Sequence, residues 1–125
     1  MPSATKATTA TTANTATIGL SPVAYAHINS EGKLVAADSR GVAQANVALE
    51  ATSAYCFKGL PFAFKTAMAV VDYGDVVTGG LEDLAQVSVA LGNPFGDCGT
   101  GTQLEVAAEN EAGFTPEGFF IWFYN

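Results

Sequence analysis

The residues that could do chemistry are few: Cys56 and Cys98, a single histidine at His27, carboxylates scattered through loops, and a set of aromatics. Two cysteines allow only one internal pair. A bridge between Cys56, in a strand-like run, and Cys98, in a glycine-rich loop, would close a loop of about 43 residues. On the chain-entropy account this contributes about 4 kcal/mol. This intramolecular disulfide is the favoured reading and implies an oxidising setting. Two free buried thiols and an intersubunit bridge are the competing ones. Two distant cysteines and one histidine lack the clustering of a zinc site.

His27 lies in a strand on the same side as Tyr25. Serines and aspartates exist for a triad, but no nucleophile-elbow motif surrounds any of them. His27 therefore reads as a structural or surface residue, and the chain as a non-enzyme. Calcium is the one cofactor the residues leave open. Asp72 and Asp75, Glu82 and Asp83, and Asn93 and Asp97 place hard oxygens in loops. No complete calcium-loop signature is present, and turn chemistry accounts for the same residues. Among the aromatics, Phe95 and Phe114 stand in loops. With Asp97 they form a candidate ligand loop, suited to a glycan receptor, because loops on a rigid scaffold carry recognition.

The elements that must position these residues are strands. After residue 20 the apolar pattern takes period two, with turn signals between runs. Strands are expected over Val23–Ile28, Leu34–Ala37, Val42–Leu49, Ser53–Gly59, Ala67–Tyr73, Ala85–Leu91, Gln103–Glu109 and Phe119–Asn125. "NSEGK" (Asn29–Lys33) is a turn in which Gly32 takes positive φ. "LPFAF" carries a proline and reads as an edge, bulge or loop. "GDVVTGGLEDL" is expected as a loop with a short helical turn at Leu81–Leu84. In the last strands Val87, Val89 and Leu91 face one way, as do Leu104, Val106 and Ala108. A helix over "VAQANVALEATSA" (Val42–Ala54) is the competing reading of one segment. The whole predicts an all-β protein, an antiparallel β-sandwich or jelly roll over residues 21–125.

The closing strand is apolar on both sides. Phe119, Ile121 and Phe123 share one face, and Phe120, Trp122 and Tyr124 the other. Such a strand is either central and covered twice, or it offers one face to another subunit. We assign Phe120, Trp122 and Tyr124 to an assembly interface.

The first 20 residues form a separate region. Ala4, Ala7, Ala10, Ala13 and Ala16 recur every third residue among threonines. Period three matches polyproline II, which would align these alanines along one side. The region is expected to be an extended arm lying on another subunit; a glycosylated Thr-rich linker is the alternative.

The 125-residue chain carries a net charge of −7 and only 14% charged residues. All five bases lie before position 66, and nine acids with no base follow from Asp72 onward. Nucleic-acid and anionic-membrane binding both need clustered bases and are not expected. No apolar stretch is long enough to span a bilayer, and residues 1–20 do not read as a secretory leader. Low charge in a chain that buries a core suggests exposed apolar surface and hence oligomers.

The runs "AYAHINSEGKLV", "SAYCFKGLPF", "MAVVDYG", "CGTGTQLEVAAEN" and "GFFIWFYN" resemble small β-rich domains of phage tail fibres and of secreted actinobacterial proteins. Asn29, Glu31, Gly32, Tyr55, Cys56, Cys98 and Gly101 occupy the matching positions. A glycine expected before Tyr55 is replaced by Ser53 or Ala54. A more distant likeness is to the trimeric jelly rolls of the tumour-necrosis-factor and complement type. The resemblance implies a structural or binding module of a virion or extracellular appendage. It further implies that such a module acts as a homo-oligomer, a trimer in the jelly-roll likeness, or with other structural proteins of a particle. The alternative is a secreted monomeric domain that binds carbohydrate or calcium.

Overall fold

A computed structural model describes residues 21–51, 53–76 and 85–125. These form two antiparallel sheets packed face to face. The strands are β1 (Ala24–Ile28), β2 (Val47–Glu50), β3 (Ala54–Lys58), β4 (Thr66–Val76), β5 (Gln86–Leu91), β6 (Thr102–Asn110), β7 (Gly113–Phe114) and β8 (Glu117–Tyr124). One sheet has the order β1-β8-β4. The other runs β2-β3-β6-β5, with β7 added to β6. The all-β sandwich expected from period-two patterning is the observed fold.

The core lies between the sheets. β8 contributes Phe119, Ile121 and Phe123, and β6 contributes Leu104, Val106 and Ala108, all fully buried. Both strands are central in their sheets, so alternation puts every second residue into the core and its neighbour outward. Tyr55 and Phe57 of β3 meet the β8 rings edge-on. The Tyr55 hydroxyl ties the sheets together: it donates to the Ser30 carbonyl at 2.9 Å and accepts the Glu117 N–H at 3.1 Å. Burial raises its pKa well above the usual tyrosine value.

The Asn29–Lys33 turn forms as expected. Gly32 has φ +81°, and a Cβ there would sit 2.8 Å from that of Leu49. Two expected strands do not form fully. Leu34 makes a single bridge to Ile28, after which Ala36–Asp38 is a 3-10 turn rather than a strand. Residues 44–46 are also a 3-10 turn, and only Val47–Glu50 pairs as a strand. Side-chain amides are the cause. Asn46 Oδ1 accepts the Ala43 N–H, and Gln44 Oε1 accepts the Leu34 N–H. These backbone donors therefore need no ladder partner. The helix considered over Val42–Ala54 does not form, because Val47–Glu50 pairs with β3 instead.

β4 runs three residues beyond its expected end, so Gly74–Val76 is strand and not loop. The helical turn expected at Leu81–Leu84 lies outside the described residues, as does the N-terminal arm with its five alanines. Leu91 sits in the expected register, opposite Leu104, but remains exposed at the end of the edge strand β5.

Candidate functional sites on the two outer faces

The outward halves of the two sheets are chemically unlike. On the three-stranded sheet, pairing register places Tyr25, Trp122 and Met68 in one row and His27, Phe120 and Val70 in the next. Tyr124 lies opposite Thr66, and Val23 donates to the Phe123 carbonyl beside it. Phe120, Trp122 and Tyr124 are thus on the outer face, each half-buried by its neighbours. Tyr25, Val70 and Met68 are exposed, Met68 at 54%. The strand that bears these aromatics is central and covered by core on one side only.

His27 marks one end of this face. Its Nδ1 lies 2.9 Å from Asp38 and its Nε2 2.7 Å from Asp72, and the ring stacks on Phe120 at 4.2 Å. Burial opposes its charge, but the hydrogen bonds and charges of Asp38 and Asp72 outweigh that and raise its pKa above 6.5. Both ring nitrogens are occupied by carboxylates, which leaves neither for a nucleophile. Asp75, one of the loop acids considered for calcium, instead accepts the Ser30 N–H and hydroxyl at 2.7 and 3.1 Å. Its carboxylate lies over Gly118, where a Cβ would meet it at 2.6 Å.

The outer face of the larger sheet is a cleft of about 390 Å3. Its floor is built from small residues. Ala107 and Ser88 stand opposite one another on β6 and β5, and Ala54, across from Ala107 on β3, lines an adjoining cavity of about 230 Å3 that shares Asp97, Glu105, Ala107 and Phe114. The Cys56–Cys98 disulfide is intramolecular, with 5.7 Å between Cα atoms, and pins the 92–101 loop over this sheet. Asn93 fixes the loop further: its Oδ1 accepts the Cys98 N–H, and its Nδ2 donates to the Cys98 carbonyl. One wall is Phe95, 71% exposed at the loop tip, and the other is Phe114, 65% exposed on β7 opposite Glu109.

The expected ligand-loop residues Phe95, Asp97 and Phe114 therefore come together around one cleft, though 17 positions separate Asp97 from Phe114. Sequence reasoning missed Glu105. Alternation put it outward on a sheet face expected to be wet, yet the pinned loop buries it to 2% exposure. Its one signal was its register opposite Cys56, visible only once the strands are paired. Burial and the Asp97 charge raise the Glu105 pKa above the usual 4.5. Among the described residues no group of three or more metal-binding side chains converges. Comparisons with protein families, characterised proteins and solved structures find no match.

Proposed function

We propose that this chain is a non-enzymatic structural module of an extracellular appendage or virion, assembling with copies of itself. The observation that carries the reading is the aromatic face of Tyr25, Trp122, Met68, Phe120, Val70 and Tyr124. A chain of net charge −7 repels its own copies except across a neutral surface, and this face supplies one. Lys65, whose N–H donates to the Tyr124 carbonyl, borders one end, and Asp38 and Asp72 border the other. Copies can therefore meet without burying like charges together. The disulfide favours an oxidising compartment. No helix among the described residues is long and apolar enough to cross a membrane.

Magnitude argues for the arm as a second contact. Three strands about 4.8 Å apart, over five residues of length, present roughly 250 Å2 of sheet. A stable interface needs about 800 Å2 from each partner. A 20-residue arm in polyproline II would span about 60 Å and provide the remainder. It would start beside the aromatic face, because Val23 pairs with Phe123.

Light scattering on size-exclusion peaks tests this. The full chain is expected to be an oligomer at micromolar concentration, with a trimer the stoichiometry implied by the resemblance. Trp122→Glu should yield folded monomers, and deletion of residues 1–17 should weaken assembly without altering the melting of the monomer. A full chain that runs as a clean monomer overturns the reading.

A further inference from the structure

The cleft on the larger sheet has features that self-assembly does not use. Glu105 Oε1 lies 3.6 Å from Cys98 Sγ. That sulfur belongs to the disulfide and has no hydrogen to donate. Among the described residues no N–H or O–H reaches the Glu105 carboxyl. A carboxyl only 2% exposed with no protein donor is costly and rare, and what exposure it keeps is to the open cavity that it lines.

The rest of the lining has the same bias. Asp97 and Glu109 add two more carboxylates, and Gln86 Nε2 donates to Glu109. No lysine or arginine lines the cleft. The walls are two phenyl rings, which attract cations through their faces and offer no hydrogen bonds. A sugar needs donors as well as acceptors, and the lining offers donors only at serine hydroxyls. Calcium needs six to eight oxygens converging on one point, and among the described residues no three metal-binding side chains converge. The volume is that of a small-molecule site.

We infer that the cleft between Phe95 and Phe114 binds an organic cation, an ammonium or guanidinium on a short apolar stem. Glu105 is its buried counter-charge, and the two rings enclose its stem. The cation supplies the donors that Glu105 lacks. The small side chains of Ala107 and Ser88 leave the depth for the stem. The same group can arrive as a free alkylamine or as a lysine or arginine side chain of a partner protein. This inference is independent of the assembly reading, since the two sites lie on opposite outer faces.

Calorimetric titration of the full chain tests it, with n-butylammonium, n-butylguanidinium, blocked Gly-Lys-Gly, n-butanol and methyl glucoside as probes. The ammonium and guanidinium probes should bind, and the two neutral probes should bind at least about tenfold more weakly. Affinity for the cations should fall as salt is raised from about 20 to 200 mM. Glu105→Gln keeps the side-chain shape and should weaken cation binding about tenfold or more. Ala107→Leu should block binding by filling the floor while leaving every charge in place. Thermal melting of both variants confirms that they fold. Blocked Gly-Lys-Gly binding more tightly than n-butylammonium assigns the cation to a partner protein; the reverse assigns it to a free amine. No cation binding, equal binding of methyl glucoside, or unchanged affinity in Glu105→Gln each overturns the inference.

Discussion

β8 and β6 are the same device used twice. Each is the central strand of its sheet, and each sends three apolar side chains inward, Phe119, Ile121 and Phe123 in one and Leu104, Val106 and Ala108 in the other. They differ in the outward half of the alternation. β8 presents Phe120, Trp122 and Tyr124, a neutral aromatic surface. β6 presents Glu105, Ala107 and Glu109, an acidic trough of small side chains. The inward half makes the sandwich, and any β-branched or aromatic set of similar volume would do so. The outward half is under no such demand, so what stands there carries the information about use.

The largest effect expected from separating the two faces comes from the disulfide. Replacing Cys56 and Cys98 by serine together frees the 92–101 loop, which only Asn93 and short turns otherwise hold. Stability should fall by about 4 kcal/mol at most on the loop-entropy account. The cleft should open and cation binding disappear. The aromatic face should survive in whatever fraction remains folded, so that self-association persists. Denaturant unfolding and light scattering on the same samples check both parts. Loss of assembly together with the cleft would mean that the faces are not independent.

The next comparison is between two small outward residues. Gly118 of β8 is small because the Asp75 carboxylate occupies the space above it. Ala107 of β6 is small with open space above it. Gly118→Ala should therefore cost about 1–3 kcal/mol through overpacking, and Asp75 should lose its bonds to Ser30. Ala107→Leu should change stability by no more than about 0.5 kcal/mol, as a surface substitution does. Urea unfolding measures both. An equal cost at the two positions would show that the trough is not free space.

The inward half of this molecule was legible in its sequence. Period two located Phe119, Ile121 and Phe123, and a cysteine count of two left one pairing to prefer. Gly32 marked its turn because only glycine tolerates that φ cheaply. Strand neighbours were not legible. β8 pairs with β1 almost 100 residues away and with β4 about 50 away, and no local signal encodes such partners. Val42–Asn46 misled because its apolar alternation is real, while Asn46 Oδ1 takes the Ala43 N–H and the Gln44 amide takes the Leu34 N–H and the Gly32 carbonyl that a neighbouring strand would need. Glu105 misled for the opposite reason. Its polarity and outward position are both as alternation demands, and only a loop arriving from residues 92–101 turns it into a buried acid.

That buried acid and His27 give the smallest effects and the finest distinction between the faces, because both make the fold more stable at lower pH by different means. Glu105 has a raised pKa without a partner, so its ionised form is penalised in the fold. The penalty is complete above its folded pKa and is relieved as pH falls toward 4.5. Glu105→Gln should therefore stabilise the protein by about 1–2 kcal/mol at neutral pH, and the gain should vanish near pH 4.5. His27 has a raised pKa because it is paired. Its contribution is complete below 6.5 and is lost as pH rises through its folded pKa. His27→Gln should destabilise by under about 1 kcal/mol below pH 6.5, since Asp38 is half exposed. The loss should shrink as pH rises. Unfolding curves of both variants between pH 4.5 and 8.5 must then show differences of opposite sign, fading at opposite ends of the range. If Glu105→Gln instead destabilises at neutral pH, Glu105 has a charged partner after all, as Asp72 has in His27.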